Sequence, residues 1–461
     1  MATNISFGNY TQPQSPKKII DIVIGVFFDG TLNNKTNTQE RLAKTETYKK
    51  HGGDPEDSTS YNNDWSNVAR LWDNYDKDIG VYIEGIGTDD RKGDEIDGKA
   101  FGAEETGIVA KVTKGCVEIA KKAKDIRKIK GEDCKVKTLT IDVFGFSRGA
   151  AAARHFVYEV SKSGQKVPYI APYGNLGSEL KKAGLTIEIV KIRFLGLFDT
   201  VSSYSEDTLT ASPNFSNDIE QLHLDNITKA KKIVHFVAEN EHRVYFDLTN
   251  VAVDKEINGV KQKPVYYGIE KKFPGVHCDI GGSYENGTEK KDEILNGDKE
   301  ILLKRKEELI AQGWFKDKQL FVIHNYTVSD KLSSDRFVKK TYSYIPLHFM
   351  ADHGIKDDLP FSIEKITKKY SISEDKLLIS VKERLKDYIL EDGKPYAFKW
   401  FTKIHEKYKG VKVSDQRYLE YQKELEEQKN LRILRNEYLH WSADYDGTGM
   451  DPRSNGVREV H

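Results

Sequence analysis

The chain has 461 residues, 31% of them charged and 38% hydrophobic, and its 72 Lys+Arg balance its 72 Asp+Glu to a formal net charge of zero. That composition describes a globular protein with a heavily charged surface and excludes a general nucleic-acid binder, which carries a basic excess. Three cysteines, Cys116, Cys134 and Cys278, with no CxxC spacing make neither a disulfide framework nor a zinc site. Folding in a reducing compartment is therefore expected, with no metal and no other cofactor.

Residues 1–17 are polar, contain Pro13 and Pro16 and lack an apolar stretch, so they read as a flexible arm without a secretory signal. Ile19 to Phe28 is almost continuously apolar, as a parallel strand covered on both faces is, and too short to span a bilayer. It runs into Asp29-Gly30-Thr31, a loop at a strand's carboxyl end, where open α/β sheets bind ligands. Residues 35–63 read as a long polar surface loop, and 65–72 as a short helix with Trp65, Val68, Ala69 and Trp72 on one face. A second strand and glycine turn follow at 81–88. The acidic loop 89–97 lacks EF-hand spacing and reads as solvated rather than calcium-binding. A long helix over 103–129 is stopped by Gly131.

The next stretch organises the chain. Val136 to Phe144 alternates and then becomes continuously apolar, as a strand does, while Ala150–Ala153 strongly favours helix. Between them Gly145-Phe146-Ser147-Arg148-Gly149 fits G-x-S-x-G, the sharp strand-to-helix turn that presents a nucleophilic serine. Another buried strand, 187–198, ends at Asp199. A strand candidate at 265–273 leads into Pro274-Gly275-Val276-His277-Cys278-Asp279. A polar loop at 285–297 and a helix over 299–312 follow. Beyond them, apart from a short strand candidate at 319–323, the chain reads as helices, with periodicity around 374–391, 395–408 and 415–438.

The expected fold class is α/β: a mostly parallel α/β-hydrolase-like sheet over 18–312, preceded by the arm 1–17 and followed by a mainly helical region, 313–461. The tail of that region has the tryptophan and glycine turns to fold back onto the core. Hydrolases of this fold order their triad as serine, acid, histidine. Ser147 is then the nucleophile, and Asp199, just past a later strand, the acid. His277 follows a strand among glycines and is the base, with His440 an alternative. Asp279 is an alternative acid, although two residues is a tight span for reaching round an imidazole. His235, on an apolar face, reads as a satisfied core histidine, and His242, flanked by charges, as exposed. The backbone N–H of Arg148, with a donor from the Asp29-Gly30 turn, would form the oxyanion hole.

Five stretches resemble the catalytic domain of the first class of antibacterial lipase effectors of type VI secretion. They are Val26-Phe27-Phe28-Asp29-Gly30-Thr31-Leu32-Asn33, Tyr82 to Thr88, Gly145 to Ala150, Phe194 to Val201 and Phe273 to Gly282, in the family's order. The resemblance implies an α/β-hydrolase core, a Ser147-Asp199-His277 triad and phospholipase A-type activity on bacterial membrane phospholipid. It also implies a VgrG-type spike as carrier and a cognate immunity protein in the producer. Synthesis in the cytoplasm without a signal peptide and delivery to the target-cell periplasm are the expected itinerary.

Overall fold

The computed structural model describes residues 18–461 apart from 55–58, 96–106, 132, 164–170, 204–214, 254–255, 258–259, 262–264, 325–328 and 446–448. The arm 1–17, residues 96–97 of the acidic loop and the first residues of the helix expected from 103 lie outside these.

Six strands, β1 (Ile19–Phe28), β2 (Gly80–Ile83), β3 (Lys135–Phe146), β4 (Ile189–Phe198), β5 (Ala230–Ala238) and β6 (Ile269–Phe273), form one sheet in the order β6-β5-β4-β3-β1-β2. Every neighbouring pair is parallel, so all six strands deliver their carboxyl ends to one edge. Period-two alternation splits the strand residues between two apolar cores. Ile22, Ile24, Val26 and Phe28 of β1, with Leu139, Ile141 and Val143 of β3, face one core. That core is closed by helix Ile108–Lys130, which Gly131 ends at φ +123°, and by the Ala-rich helix Arg148–Ser161.

Phenylalanines line the opposite face. Phe27 and Phe144 stack at 4.9 Å, Phe144 and Phe194 at 5.5 Å, tying β1, β3 and β4 together through their rings. This second core continues through Leu302, Leu332, Leu378, Leu431 and Trp441, so the chain beyond residue 312 packs against the same face of the sheet. Its helices include Tyr344–Lys356, Lys376–Leu390 and Gln416–Glu437.

Three expectations fail, one of them that the chain beyond 312 is helical apart from 319–323: Asp330–Val338 is a strand as well, fixed by its antiparallel partners. Residues 35–63 are not one loop: helices Lys35–Leu42 and Glu46–His51 form there, capped by Asn34, which accepts from the N–H of Thr36 and Asn37, and by Thr45, which accepts from Tyr48. Thr36, Asn37 and Thr38 are buried, held by hydrogen bonds rather than by an apolar stripe. Residues 285–297 are not a loop either. Gly287–Gly297 is a strand, paired antiparallel with Asp330–Val338, which in turn pairs with Leu320–Ile323. Its charged residues alternate toward solvent across a sheet with one wet face.

The elbow needs glycine at 149. A Cβ there would lie 2.2 Å from the Asp29 carbonyl oxygen and 2.4 Å from that of Phe28, so β1 and the start of the following helix could not both hold position. Gly149→Ala is expected to destabilise the fold by about 3 kcal/mol, read from denaturant unfolding. Unchanged stability would show that the close approach is not required.

Candidate active site

Four sheet strands end at one pocket. β3 runs into Ser147, β4 into Asp199, β1 into the 29–31 turn, and β6, through residues 274–276, into the short helix His277–Gly281. Ser147, Arg148 and His277 line a cavity of about 250 Å³ with Phe146, Phe246 and Met450. Ser147 has φ +57° and ψ −129°, a conformation a serine adopts only under constraint. The constraint is visible: its N–H donates to the Phe198 carbonyl at 3.1 Å, and its carbonyl accepts from Ala150 at 2.9 Å.

Asp199 is wholly buried, also at positive φ (+43°), and its carboxylate is met by donors on both oxygens. Oδ1 accepts from the Ala238 N–H (2.8 Å) and Arg458 Nη1 (2.7 Å). Oδ2 lies 2.6 Å from His277 Nδ1 and accepts from Arg458 Nη2 at 3.0 Å. Burial alone would push this carboxyl up, but Arg458 and the His277 hydrogen bond override it and hold it down at about 2. An ionised Asp199 can only accept, so Nδ1 of His277 carries the proton and Nε2 keeps its lone pair. The imidazole is packed between the rings of Phe146 (4.6 Å) and Phe246 (5.1 Å). Burial lowers its pKa, as do the neighbouring Arg243 and Arg458, against the opposing pull of Asp199.

Two further buried acids flank this arrangement. Glu241, buried after β5, accepts the His277 N–H at 3.1 Å and both arms of Arg243, and Ser442 donates to it. Despite its burial it is held well below the usual carboxylate range, first of all by Arg243. Asp279, the alternative acid, is engaged elsewhere: it accepts from His440 Nδ1 (2.7 Å) and the His440 N–H (3.1 Å). Burial raises its pKa, and His440 lowers it. His440, the alternative base, is thereby spent on Asp279. His235 is buried, with Nδ1 3.0 Å from Glu270 and Nε2 accepting from the Thr200 N–H, as read from its apolar face. His242, expected to be exposed, is buried beside Trp441.

The Asp29-Gly30 turn does not present its N–H groups to the pocket. Asp29 donates to the Ile83 carbonyl, and Gly30 to Asp29's own Oδ1 at 2.7 Å. Asp29 is a buried turn-holder, pushed up to about 6 by burial and bonded by Tyr82. One residue on, Thr31 lines the pocket, and among the described residues its buried Oγ1 has no hydrogen-bond partner. The sequence points to this turn but not to Thr31, because which member of the turn faces the site depends on β2 alongside, whose Ile83 carbonyl takes the Asp29 N–H.

Among the described residues, two other acidic groupings are met by protein donors. In the acidic loop Asp89 pairs with Lys92, and Asp94 accepts from Ser60. Asp247, Glu459 and His461 gather closely enough for a cation, but Arg453 pairs with both carboxylates. Among the described residues no helix is long and apolar enough to cross a membrane.

The resemblance read from the sequence is met from two sides. Residues 174–312 match the family model of the type VI secretion phospholipase effector Tle1-like catalytic domain. The fold is similar to that of a solved structure described as the Tle1 effector bound to the VgrG spike of the type VI secretion system. The similarity has a TM-score of 0.60 at 20% identity and covers 99% of this chain and 96% of the other. An uncharacterised protein from Pseudomonas aeruginosa is more distant, at TM-score 0.41 and 17% identity, covering 92% of this chain and 60% of that one. No curated protein matches the chain in sequence. The chain thus combines an α/β fold like that of Tle1 with a segment that matches a phospholipase, hence hydrolase, family of type VI secretion effectors.

The contrast between the two acids is testable. Asp199→Asn is expected to reduce ester hydrolysis by about three to four orders of magnitude, since the imidazole loses the partner that fixes its tautomer. Asp279→Asn should cost far less. The reverse ranking in steady-state kinetics would move the orienting role to Asp279.

Proposed function

We propose that the chain is a phospholipase effector of type VI secretion that cleaves a carboxylic ester of membrane phospholipid through Ser147, His277 and Asp199. One observation carries this reading. A serine in a strained elbow and a histidine whose Nδ1 is bonded to a buried, ionised aspartate line the same small apolar cavity.

In the reaction so proposed, His277 Nε2 takes the Ser147 hydroxyl proton as Oγ bonds to the acyl carbon, giving a tetrahedral oxyanion. The oxyanion is met by the Arg148 N–H at the helix start and by Thr31. Collapse breaks the ester C–O bond, and the proton on Nε2 goes to the leaving lysophospholipid oxygen. Water then attacks the acyl-serine with His277 again as base, releasing the fatty acid and restoring the Ser147 hydroxyl. Asp199 stays ionised throughout and stabilises the imidazolium. No step calls for a metal. A VgrG-type spike as carrier, an immunity protein in the producer and the target-cell periplasm as place of action belong to the same reading, supported by the family match and the likeness to the spike-bound effector.

Purified protein on phosphatidylethanolamine–phosphatidylglycerol vesicles should release fatty acid and lysolipid, and Ser147→Ala should abolish this without lowering the melting temperature. Full turnover by Ser147→Ala would overturn the assignment. Thr31→Val, nearly isosteric, should lower kcat by about a hundredfold if the hydroxyl stabilises the oxyanion; an unchanged kcat would remove Thr31 from the hole.

Because burial lowers the His277 pKa, the base stays neutral to lower pH than an ordinary imidazole of 6.5. The acid limb of kcat/KM should therefore fall below pH 6.5, and a limb above it would contradict the buried base. Fused to a cleavable secretion signal, the wild type should kill a Gram-negative host and Ser147→Ala should not. Equal growth would point to an esterase acting on soluble esters, and equal killing to membrane disruption without catalysis.

A further inference from the structure

Residues 440–445 and 449–461 bring side chains to three buried acids around His277. His440 bonds Asp279, Ser442 bonds Glu241, and Arg458 clamps Asp199 with both arms of its guanidinium. The segment is held to the catalytic side by a run of backbone hydrogen bonds. Val244 donates to Asp451, Tyr245 to Gly449, Leu248 to Glu459 and Asn250 to His461, while Arg453 donates to His242 and His461 to Leu248. Arg458 is itself buried within this seam, its side chain 6% exposed, and its Nε donates to the Phe246 carbonyl at 2.5 Å. The one side chain therefore ties together the carboxylate bonded to His277 and the residue whose ring packs on His277.

We infer that Arg458 is a positioning residue for the hydrolytic reaction: its forked contact fixes the Asp199 carboxylate in the orientation that holds His277, so the site is incomplete without the stretch 449–461 that carries it. The inference rests on the triad reading above. The physical argument is one of competition for a buried proton. A carboxylate stripped of water and bonded only to an imidazole and one N–H is a strong base, and protonation removes its ability to accept from Nδ1. A guanidinium across both oxygens prevents that and leaves one lone pair of Oδ2 for the histidine.

The same positive charge acts on His277, together with Arg243. Opposing them are Asp199 and the buried Glu241, while Cys278 is the thiol beside it on its own helix and Asp279 is turned to His440. Removing Arg458 takes a positive charge away from both Asp199 and His277, so the hydrogen-bonded pair holds its extra proton to higher pH. An arginine serving only to neutralise buried charge would affect stability; one that positions the acid also moves the titration of the base.

The test uses the full chain with 4-methylumbelliferyl butyrate as substrate, and a fluorophosphonate to read Ser147 reactivity without turnover, both across pH. Arg458→Met should lower kcat/KM at neutral pH by about tenfold or more and move the acid limb up by about one pH unit in both readouts. Arg458→Lys, which keeps the charge and loses the fork, should leave the limb close to that of the wild type while the rate still falls. Arg458→Met with an unmoved limb and a rate within about twofold of wild type overturns the inference. If circular dichroism shows that Arg458→Met does not fold, Arg458→Lys decides: a wild-type rate overturns the inference, and a reduced rate on an unmoved limb sustains it. Ser147→Ala, run alongside, separates the two layers, because hydrolysis and labelling that survive it reject the triad itself rather than the role of Arg458.

Discussion

A carboxylate with no exposure to water is the constraint around which this molecule is built. Desolvating Asp199 is tolerable only if every lone pair that matters is answered by a donor. Those donors come from three other places in the chain: the last residue of β5, the short helix after β6, and the stretch around residue 458. Asp199 itself sits in a left-handed conformation with its N–H on the Phe236 carbonyl, so β5 fixes its backbone as well as its side chain. The neighbouring acids repeat the pattern. Glu241 and Asp279 are also buried: Ser442 donates to Glu241 beside its main partner Arg243, and His440 answers Asp279. Charge in this region is balanced locally and without solvent, which is why a chain with zero net charge carries so polar an interior at one end of its sheet.

The scaffold that makes this possible is asymmetric. One face of the sheet is closed by small and aliphatic residues, including the Ala150–Ala153 run that lets a helix lie close behind the elbow. The other face is aromatic and shared: Phe144, Phe236 and Phe273 lie in the same core as Phe349, Leu385 and Trp441. Strain at Ser147 is sustained because both faces are packed, leaving the turn no room to relax.

How far the sequence foretold this follows from how local each signal was. β1 is a long apolar run, β3 and β4 become apolar toward their carboxyl ends, and the elbow, Asp199 and His277 each follow a strand, so pattern and position point to them in the sequence. The helices at 35–51 escaped because their buried residues are Thr and Asn, whose burial depends on hydrogen bonds to distant chain. The strand at 287–297 escaped because its residues are charged and its identity depends on the partner Asp330–Val338, some forty positions on. Arg458 has no local signature. An arginine near the end of a charged chain looks solvated until the fold lays it against a strand end from the other half of the molecule.

The separation of Asp199 and Arg458, 259 residues, also has a consequence in time. At synthesis rates of about 5–20 residues per second, roughly 13 to 50 seconds pass on the ribosome between the two. During that interval the nascent chain can close its parallel sheet and form its elbow, yet the aspartate has no guanidinium to meet it. A sheet that closes early on the ribosome therefore buries Asp199 before its guanidinium partner exists, and the carboxylate depends on the later synthesis of residue 458 to have both oxygens answered.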